Sequence, residues 1–214
     1  MTGASELEAI ERPPASLRQR LLAEPDRAPE LIALAASERF AEPARRWAAH
    51  MAARGHPPEE IARIAVRRHT RLARAEGAVV GLGGAITSAA DLVALTWIQS
   101  RLVFFVAAAY GYDPAHPMRP AELLALHELY ETPAAAREAL DGVGRSLAGA
   151  MAGRALDRGG EQTLQRKLLR FVGRKAVKRV ANRAIPFLAS PIAAVQNGNL
   201  TAQMGARALH YYGG

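Results

Sequence analysis

The hydrophobic positions are unevenly spaced along the chain, and the longest apolar run covers residues 77–112. Only Asp91 and Arg101 interrupt this run with charge. Such a run must be buried in a protein core, in lipid or against a partner, and about 20 apolar residues are enough to cross a membrane. Because the run is rich in Ala, Gly, Ser and Thr, its transfer into lipid gains little free energy. We therefore expect helices in the protein interior rather than a membrane span.

Outside this run, apolar positions recur at helical spacing. A helix is predicted from Pro29, and Pro43 should end or kink it before a second segment over residues 44–54. A further helix is predicted for Pro58–Glu76, because proline is tolerated in a first helical turn. Its arginines are expected on the outer side.

The C-terminal half is also predicted to be helical. A short amphipathic helix is expected over Pro120–Glu131. Thr132 is predicted to cap the next helix, which runs to about Asp141. A final helix is expected over Pro191–Tyr212. No segment alternates in the way typical of strands, so the predicted fold class is all-α: a compact multi-helix bundle around the long apolar, glycine-rich segment.

The N-terminal residues differ in character from the remainder. Residues 1–28 contain Pro13, Pro14 and Pro25 and are predicted to form a loosely ordered arm, whereas residues 29–214 form the helical domain. The first residues are polar and acidic without the apolar core of a signal peptide, which favours a cytoplasmic location. The absence of cysteine is consistent with a reducing compartment and excludes disulfides and thiolate chemistry.

Polar side chains in the apolar run lie on one side of the predicted helix. Ser88, Asp91 and Gln99 fall within about a third of its circumference, and Arg101 lies near the edge of this stripe. Two interpretations remain open. The stripe is either a buried charge pair that fixes helix register or a set of polar groups that orient a ligand in an apolar cavity.

The net charge of +8 is concentrated near the C-terminus. All 20 acidic residues lie in residues 1–161, whereas residues 162–214 contain nine Lys or Arg and no acid. The candidate anion-binding residues are Arg166, Lys167, Arg170, Arg174, Lys175, Lys178 and Arg179. Such a segment attracts lipid headgroups or an acidic protein, or is simply a solvated face; without a recognition motif, nucleic acid is disfavoured.

Catalytic chemistry is weakly indicated. His127 and Glu131 would share a helical face, but the second histidine of a zinc H-E-x-x-H motif is missing. The glycines at the start of the apolar run lack the third glycine and the preceding strand of a dinucleotide-binding loop. We therefore expect no cofactor and no metal, and a non-catalytic protein is favoured over an enzyme of unknown chemistry.

Several short motifs resemble the EcsC family. In chain order they are Gly81-Leu82-Gly83-Gly84, Asp91-Leu92, Gln99, Arg101, Tyr110-Gly111-Tyr112-Asp113, Ile185-Pro186, Asn197, Thr201, Gly205 and Tyr211-Tyr212. The resemblance covers roughly residues 40–213 and implies a bacterial, helical and largely uncharacterised protein. Gly81, Gly83, Gly84, Asn197, Thr201 and Gly205 are expected to allow close helix packing, because small side chains let helix backbones approach.

The expected function is based on the apolar run of residues 77–112 and on the basic residues of 162–214. We expect a non-catalytic helical protein at the inner face of the cell membrane that binds anionic lipid and holds a lipid or acyl chain in an apolar cavity. One alternative is a soluble regulatory protein that docks an acidic partner, such as a transporter component. The oligomeric state is open.

Overall fold

The computed structural model describes residues 12–80, 89–141 and 189–214. Within these ranges every regular element is helical, and the predicted all-α class is confirmed. The α-helices are α1 (Ala15–Ala23), α2 (Ala28–Ala53), α3 (Pro58–Val80), α4 (Ala89–Ala109), α5 (Arg119–Leu126), α6 (Pro133–Asp141) and α7 (Ala189–Gly213), with a short 3₁₀ turn at Pro25–Arg27 between α1 and α2.

Helix α4 lies at the centre and packs against α2, α3 and α7. Two tilted aromatic pairs show its direction relative to α2: the ring centroids of Phe40 and Trp97 are 4.7 Å apart, and those of Trp47 and Phe105 are 5.3 Å apart. The second pair lies later in the sequence than the first on both helices, so α2 and α4 run in the same direction. Helix α3 runs in the opposite direction and brings the His69 ring to 5.3 Å from Phe105.

Helix α7 packs along α3 and completes the bundle. Gly205 lies so close to α3 that a Cβ placed there would come within 2.6 Å of Val66 Cγ1. A Cβ at Gly198 would meet the side chain of Arg74 at 2.5 Å. From Gly198 to Gly205 the residue number rises along α7, while the contacted residue of α3 falls from Arg74 to Val66. The two helices are therefore antiparallel, and α7 runs parallel to α4.

The central helix is also the one candidate membrane span among the described residues. Residues Ala90–Ala109 are long and apolar enough to cross a membrane, but 89% of this stretch is buried inside the protein. Its largest side chains, including Trp97, Phe104 and Phe105, are almost completely enclosed. The apolar surface of α4 is therefore covered by its neighbouring helices, as expected for an interior helix.

The sequence predicts that helix α2 ends or kinks at its proline. The chain continues as one helix through Pro43 to Ala53, so the helix does not end there. An interior proline removes a backbone hydrogen bond and costs about 3 kcal/mol. Phe40 and Ala44 are completely buried on either side of it, and Trp47 is nearly so. Packing on both sides of the proline thus outweighs the local penalty.

The boundaries of the shorter helices are partly as predicted. The Thr132 hydroxyl accepts a hydrogen bond from the Ala135 amide at 3.2 Å, which confirms the predicted cap of α6. Helix α5, however, ends at Leu126 rather than Glu131, and Glu128 adopts a positive φ of 58°. A residue in this left-handed region cannot continue an α-helix.

The described part of the predicted N-terminal arm is packed against the bundle. Leu17 and Leu21 of α1 are buried and belong to the common hydrophobic core. Their i,i+4 spacing places both on the face of α1 that contacts α2. This segment contributes to the core in a way that the clustered prolines do not suggest.

Candidate functional site

The polar stripe of α4 places a cation inside the core. Arg101 is only 5% exposed, and its guanidinium lies over the rings of Phe40 and Phe105, at 5.8 and 5.3 Å from their centroids. A guanidinium in this position is attracted by the negative faces of the rings. The two aromatic side chains, from α2 and α4, hold the charge where water is excluded.

A buried histidine lies in the same region. His69 of α3 is fully enclosed, and its Nδ1 is 2.8 Å from the carbonyl oxygen of Ala65, to which it donates in the neutral ring. Burial, with the positive charges of Arg101 and Arg68, lowers the pKa of His69 to about 3. The ring is therefore neutral at physiological pH, and the cluster carries the charge of Arg101.

Buried polar side chains from three helices lie near this cluster. The contacts between α3 and α7 place Thr70 opposite Thr201, and Gln99 lies on α4 two residues before Arg101. Their side-chain oxygens are buried, and no hydrogen-bond partner for them is found among the described residues. Such oxygens are normally satisfied by protein groups or ordered water. These three oxygens are thus hydrogen-bonding groups within an apolar core.

The remaining members of the predicted stripe are separated from Arg101. Asp91 is half-buried in the first turn of α4, ten residues before Arg101 and about 15 Å from it along the axis. A direct pair between them along the helix is therefore excluded. Ser88 lies outside the described residues, as do Gly81, Gly83 and Gly84.

Four of the five tyrosines of the chain lie at the end of the bundle where α4 and α7 terminate, opposite the end that contains Asp91. Tyr110 and Tyr112 follow the end of α4, whereas Tyr211 and Tyr212 lie in the last turn of α7. The rings of Tyr112 and Tyr212 are 5.2 Å apart. A Cβ at Gly213 would approach the Tyr110 hydroxyl to 2.8 Å. We call this region the tyrosine end.

A buried ion pair holds the tyrosine end together. Arg119 and Glu122 of α5 are both buried and form a salt bridge. The Tyr212 hydroxyl donates to Glu122 Oε2 at 2.7 Å, and the Arg119 guanidinium lies over the rings of Tyr112 and Tyr212. Burial, together with the charge of Glu122, raises the pKa of Tyr212 above its ordinary range. This network fixes the end of α7 against the α4–α5 connection.

Described residues form three shallow grooves around the tyrosine end. The largest, of about 690 Å³, lies between α2 and the end of α4 and is lined by alanines with Arg45 and Asp113 at its edge. The other two have volumes of about 580 and 450 Å³ and share His210 and Gly214 as lining residues. The charges at these edges are paired, as in the Arg45–Asp113 contact of 2.9 Å, so the grooves present little net charge.

The structure does not support the weak zinc pattern. Because α5 ends at Leu126, His127 and Glu131 do not share a helical face; His127 is buried and Glu131 is exposed. No group of three or more potential metal ligands occurs in the part of the chain that the structure describes. The expectation that these two residues lie on one helix is therefore wrong.

The predicted close-packing and anion-binding residues have different outcomes. Asn197 and Thr201 are buried on α7, and Gly205 lies against Val66. The seven basic candidates, Arg166, Lys167, Arg170, Arg174, Lys175, Lys178 and Arg179, lie outside the described residues. The sequence interpretation missed Arg119 and Glu122, whose opposite charges at i,i+3 were a visible signal, and His69, for which burial had no local signal.

Comparison with known proteins identifies the family. The family model described as the EcsC protein family matches residues 56–213, about three quarters of the chain. The chain belongs to the EcsC family. A Bacillus subtilis (strain 168) relative named "Uncharacterized protein YdbA" is 39% identical over 56 residues, which are 26% of this chain. The match covers only 21% of that relative's length. No solved structure matches.

The family assignment gives weight to the motifs that it includes. The matched region begins at the turn before α3 and ends at Gly213, so it contains the α4 stripe and the tyrosine end. It excludes α1 and α2, although α2 supplies Phe40 to the Arg101 cluster. The EcsC region of this chain is thus completed by a helix that precedes it.

Proposed function

We propose that this EcsC-family protein is a non-catalytic helical protein that binds peripherally to anionic membrane surfaces. The observation that carries the proposal is the charge distribution: residues 162–214 contain nine Lys or Arg and no acidic residue. Each basic side chain near an anionic bilayer contributes roughly 1 kcal/mol, an attraction that salt screens. Several such residues acting together are sufficient for reversible attachment.

The enclosure of α4 supports attachment over insertion. The helix that is apolar enough to cross a bilayer packs its surface against α2, α3 and α7. Exposing that surface to lipid would require the aromatic core around Trp97 and Phe105 to separate. A lipid held inside the protein remains a prediction from the sequence, since the grooves described above lie at the tyrosine end and not beside Gln99 or Arg101.

Vesicle flotation tests the proposal. The protein should float with phosphatidylglycerol-containing vesicles at low salt, and remain unbound with pure phosphatidylcholine or at high salt. Replacement of Arg166, Arg170 and Arg174 by Gln should weaken binding about tenfold or more, because three positive charges of the basic segment are lost. The matched control replaces exposed arginines of α1 and the α2–α3 turn, Arg18, Arg20 and Arg54, by Gln.

The outcomes separate the membrane function from its alternative. Equal flotation with neutral and anionic vesicles, or equal weakening by the two triple variants, would show that the basic segment is not the attachment site. If the wild-type protein binds neither neutral nor anionic vesicles, the membrane function is wrong. An acidic protein partner then becomes the better explanation of the positive charge of residues 162–214.

A further inference from the structure

Helix α3 carries a row of arginines on its outer face. Arg67, Arg71 and Arg74 are exposed and fall within about 60° of the helix circumference. The opposite face of α3, including Ile61 and Ala65, is buried in the core. Since the buried face fixes the rotation of α3, the three arginines point outward in a defined direction.

Among the described residues, no acidic side chain forms an ion pair with these arginines. Arg63, one turn earlier, is paired with Glu59 at 2.6 Å. By contrast, no ion pair is found for Arg67, Arg71 or Arg74 within residues 12–80, 89–141 and 189–214. Three guanidinium groups on one helical face are a preferred arrangement for phosphate oxygens, because each can donate two parallel hydrogen bonds.

An exposed apolar side chain lies beside the arginine row. The side chain of Arg74 lies across the α7 backbone at Gly198. Val195 is one helical turn before Gly198 and is 55% exposed. Exposed apolar groups next to outward-facing cations are typical of helices that lie in the membrane interface.

We infer that the α3–α7 face, defined by Arg67, Arg71, Arg74 and Val195, is a second lipid-binding site that contacts anionic phospholipid headgroups. The inference rests on the proposed membrane function and specifies which described surface faces the bilayer. The arginines contact the phosphates, while Val195 enters the boundary between headgroups and acyl chains. Charge complementarity favours an anionic lipid here, whereas the tyrosine end has paired charges and lies at the far end of α7.

A fluorescent probe at a single cysteine tests the orientation. The chain has no native cysteine, so Val195→Cys can be labelled uniquely with an environment-sensitive dye. The matched control is Leu22→Cys on α1, which is 57% exposed and is followed by Glu24 and Asp26. With phosphatidylglycerol-containing vesicles, the probe at 195 should shift to the blue and brighten several-fold, whereas the probe at 22 should not change.

Charge removal tests the arginines independently. Arg67, Arg71 and Arg74 replaced together by Gln should weaken vesicle binding by about ten- to a hundredfold. The triple variant of Arg18, Arg20 and Arg54 should change it by less than twofold. Because the α3 side chains are exposed, circular dichroism should show an unchanged helix content; if the triple variant misfolds, the single Arg71→Gln change provides the same test with a smaller loss.

The combined results distinguish this inference from the proposed function. In one outcome, the wild-type protein binds anionic vesicles, the α3 triple variant binds equally well, and the fluorescence of the probe at 195 does not change. The α3–α7 face is then not a contact site, whereas the proposed membrane function is retained. A probe response at 22 instead of 195 would place α1 against the bilayer and overturn the inference. No binding by the wild-type protein would refute the proposed function itself.

Discussion

The most direct consequence of the buried cluster is a dependence of stability on pH that originates from His69. The ring is enclosed between α3 and α4, with Arg101 on the facing helix and Arg68 on its own helix. In the folded protein, its pKa is lowered to about 3, whereas histidine in an unfolded chain has a pKa near 6.5. Between about pH 3 and pH 6.5, His69 therefore binds a proton in the unfolded state but not in the folded state.

The sign and size of the effect follow from this difference. The stabilising contribution of neutral His69 is fully present above the unfolded pKa and is lost as the pH falls from about 6.5 towards 3. Each pH unit below 6.5 lowers the free energy of unfolding by about 1.4 kcal/mol. Between pH 7 and pH 5, His69 alone should therefore remove about 2 kcal/mol.

Urea unfolding followed by circular dichroism measures this contribution. Wild-type protein and a His69→Leu variant are compared between pH 7 and pH 5, and only the change with pH is used, because the substitution also removes the hydrogen bond to Ala65. The variant should lose about 2 kcal/mol less than the wild-type protein over this interval. A His50→Leu control, at an exposed position of α2, should keep the wild-type slope.

Parallel pH profiles for the wild-type protein and His69→Leu would refute the reasoning. They would mean that His69 becomes protonated in the folded protein without cost, and hence that water reaches the ring. A steeper profile in the variant would contradict the calculated sign. The result is informative for the site, because the charge of Arg101 acts on His69 only if the two groups share an environment from which water is excluded.

Two further predictions concern the attachment of α7. Gly205→Ala should destabilise the protein by about 1–3 kcal/mol, because the new methyl group meets Val66 at 2.6 Å. In a Val66→Ala background the same change should be neutral or stabilising, because alanine has a higher helix propensity than glycine. Thermal unfolding of the wild-type protein, the two single variants and the double variant tests both expectations. Tyr212→Phe should cost about 1.5–3 kcal/mol, since a buried hydrogen bond to charged Glu122 is lost. The half-buried Tyr130 hydroxyl donates to Glu30 Oε1 at 2.6 Å, and Tyr130→Phe should cost less than Tyr212→Phe. Equal losses of the free energy of unfolding for the two variants in denaturant would contradict the difference in burial.

Local sequence signals were sufficient for much of the fold. The apolar run predicted an interior helix, and α4 is that helix, with 89% of its apolar stretch enclosed. Thr132 and Pro133 predicted the start of α6 within one residue, because capping and first-turn geometry depend only on neighbouring backbone groups. The family resemblance, carried by short motifs in order, is confirmed by the match over residues 56–213.

Features that depend on distant partners could not be predicted in this way. Pro43 was expected to end or kink α2, and the helix does not end there, because the neighbours of Pro43 are buried against a helix some fifty residues later. The cation site required Phe40 and His69 to approach Arg101 from two other helices. Neither has a local pattern that marks its role.

The sequence by itself determined the helical class, the family and the uneven charge, because periodicity, composition and motif order are properties of the linear chain. Tertiary structure decided where those features meet. It joined Tyr112 and Tyr212, one hundred residues apart, around the Arg119–Glu122 pair, and it placed Gly198 of α7 against Arg74 of α3. The physical reason is that burial and electrostatic environment depend on distances in space, which the register of α3, α4 and α7 sets only when the helices pack together.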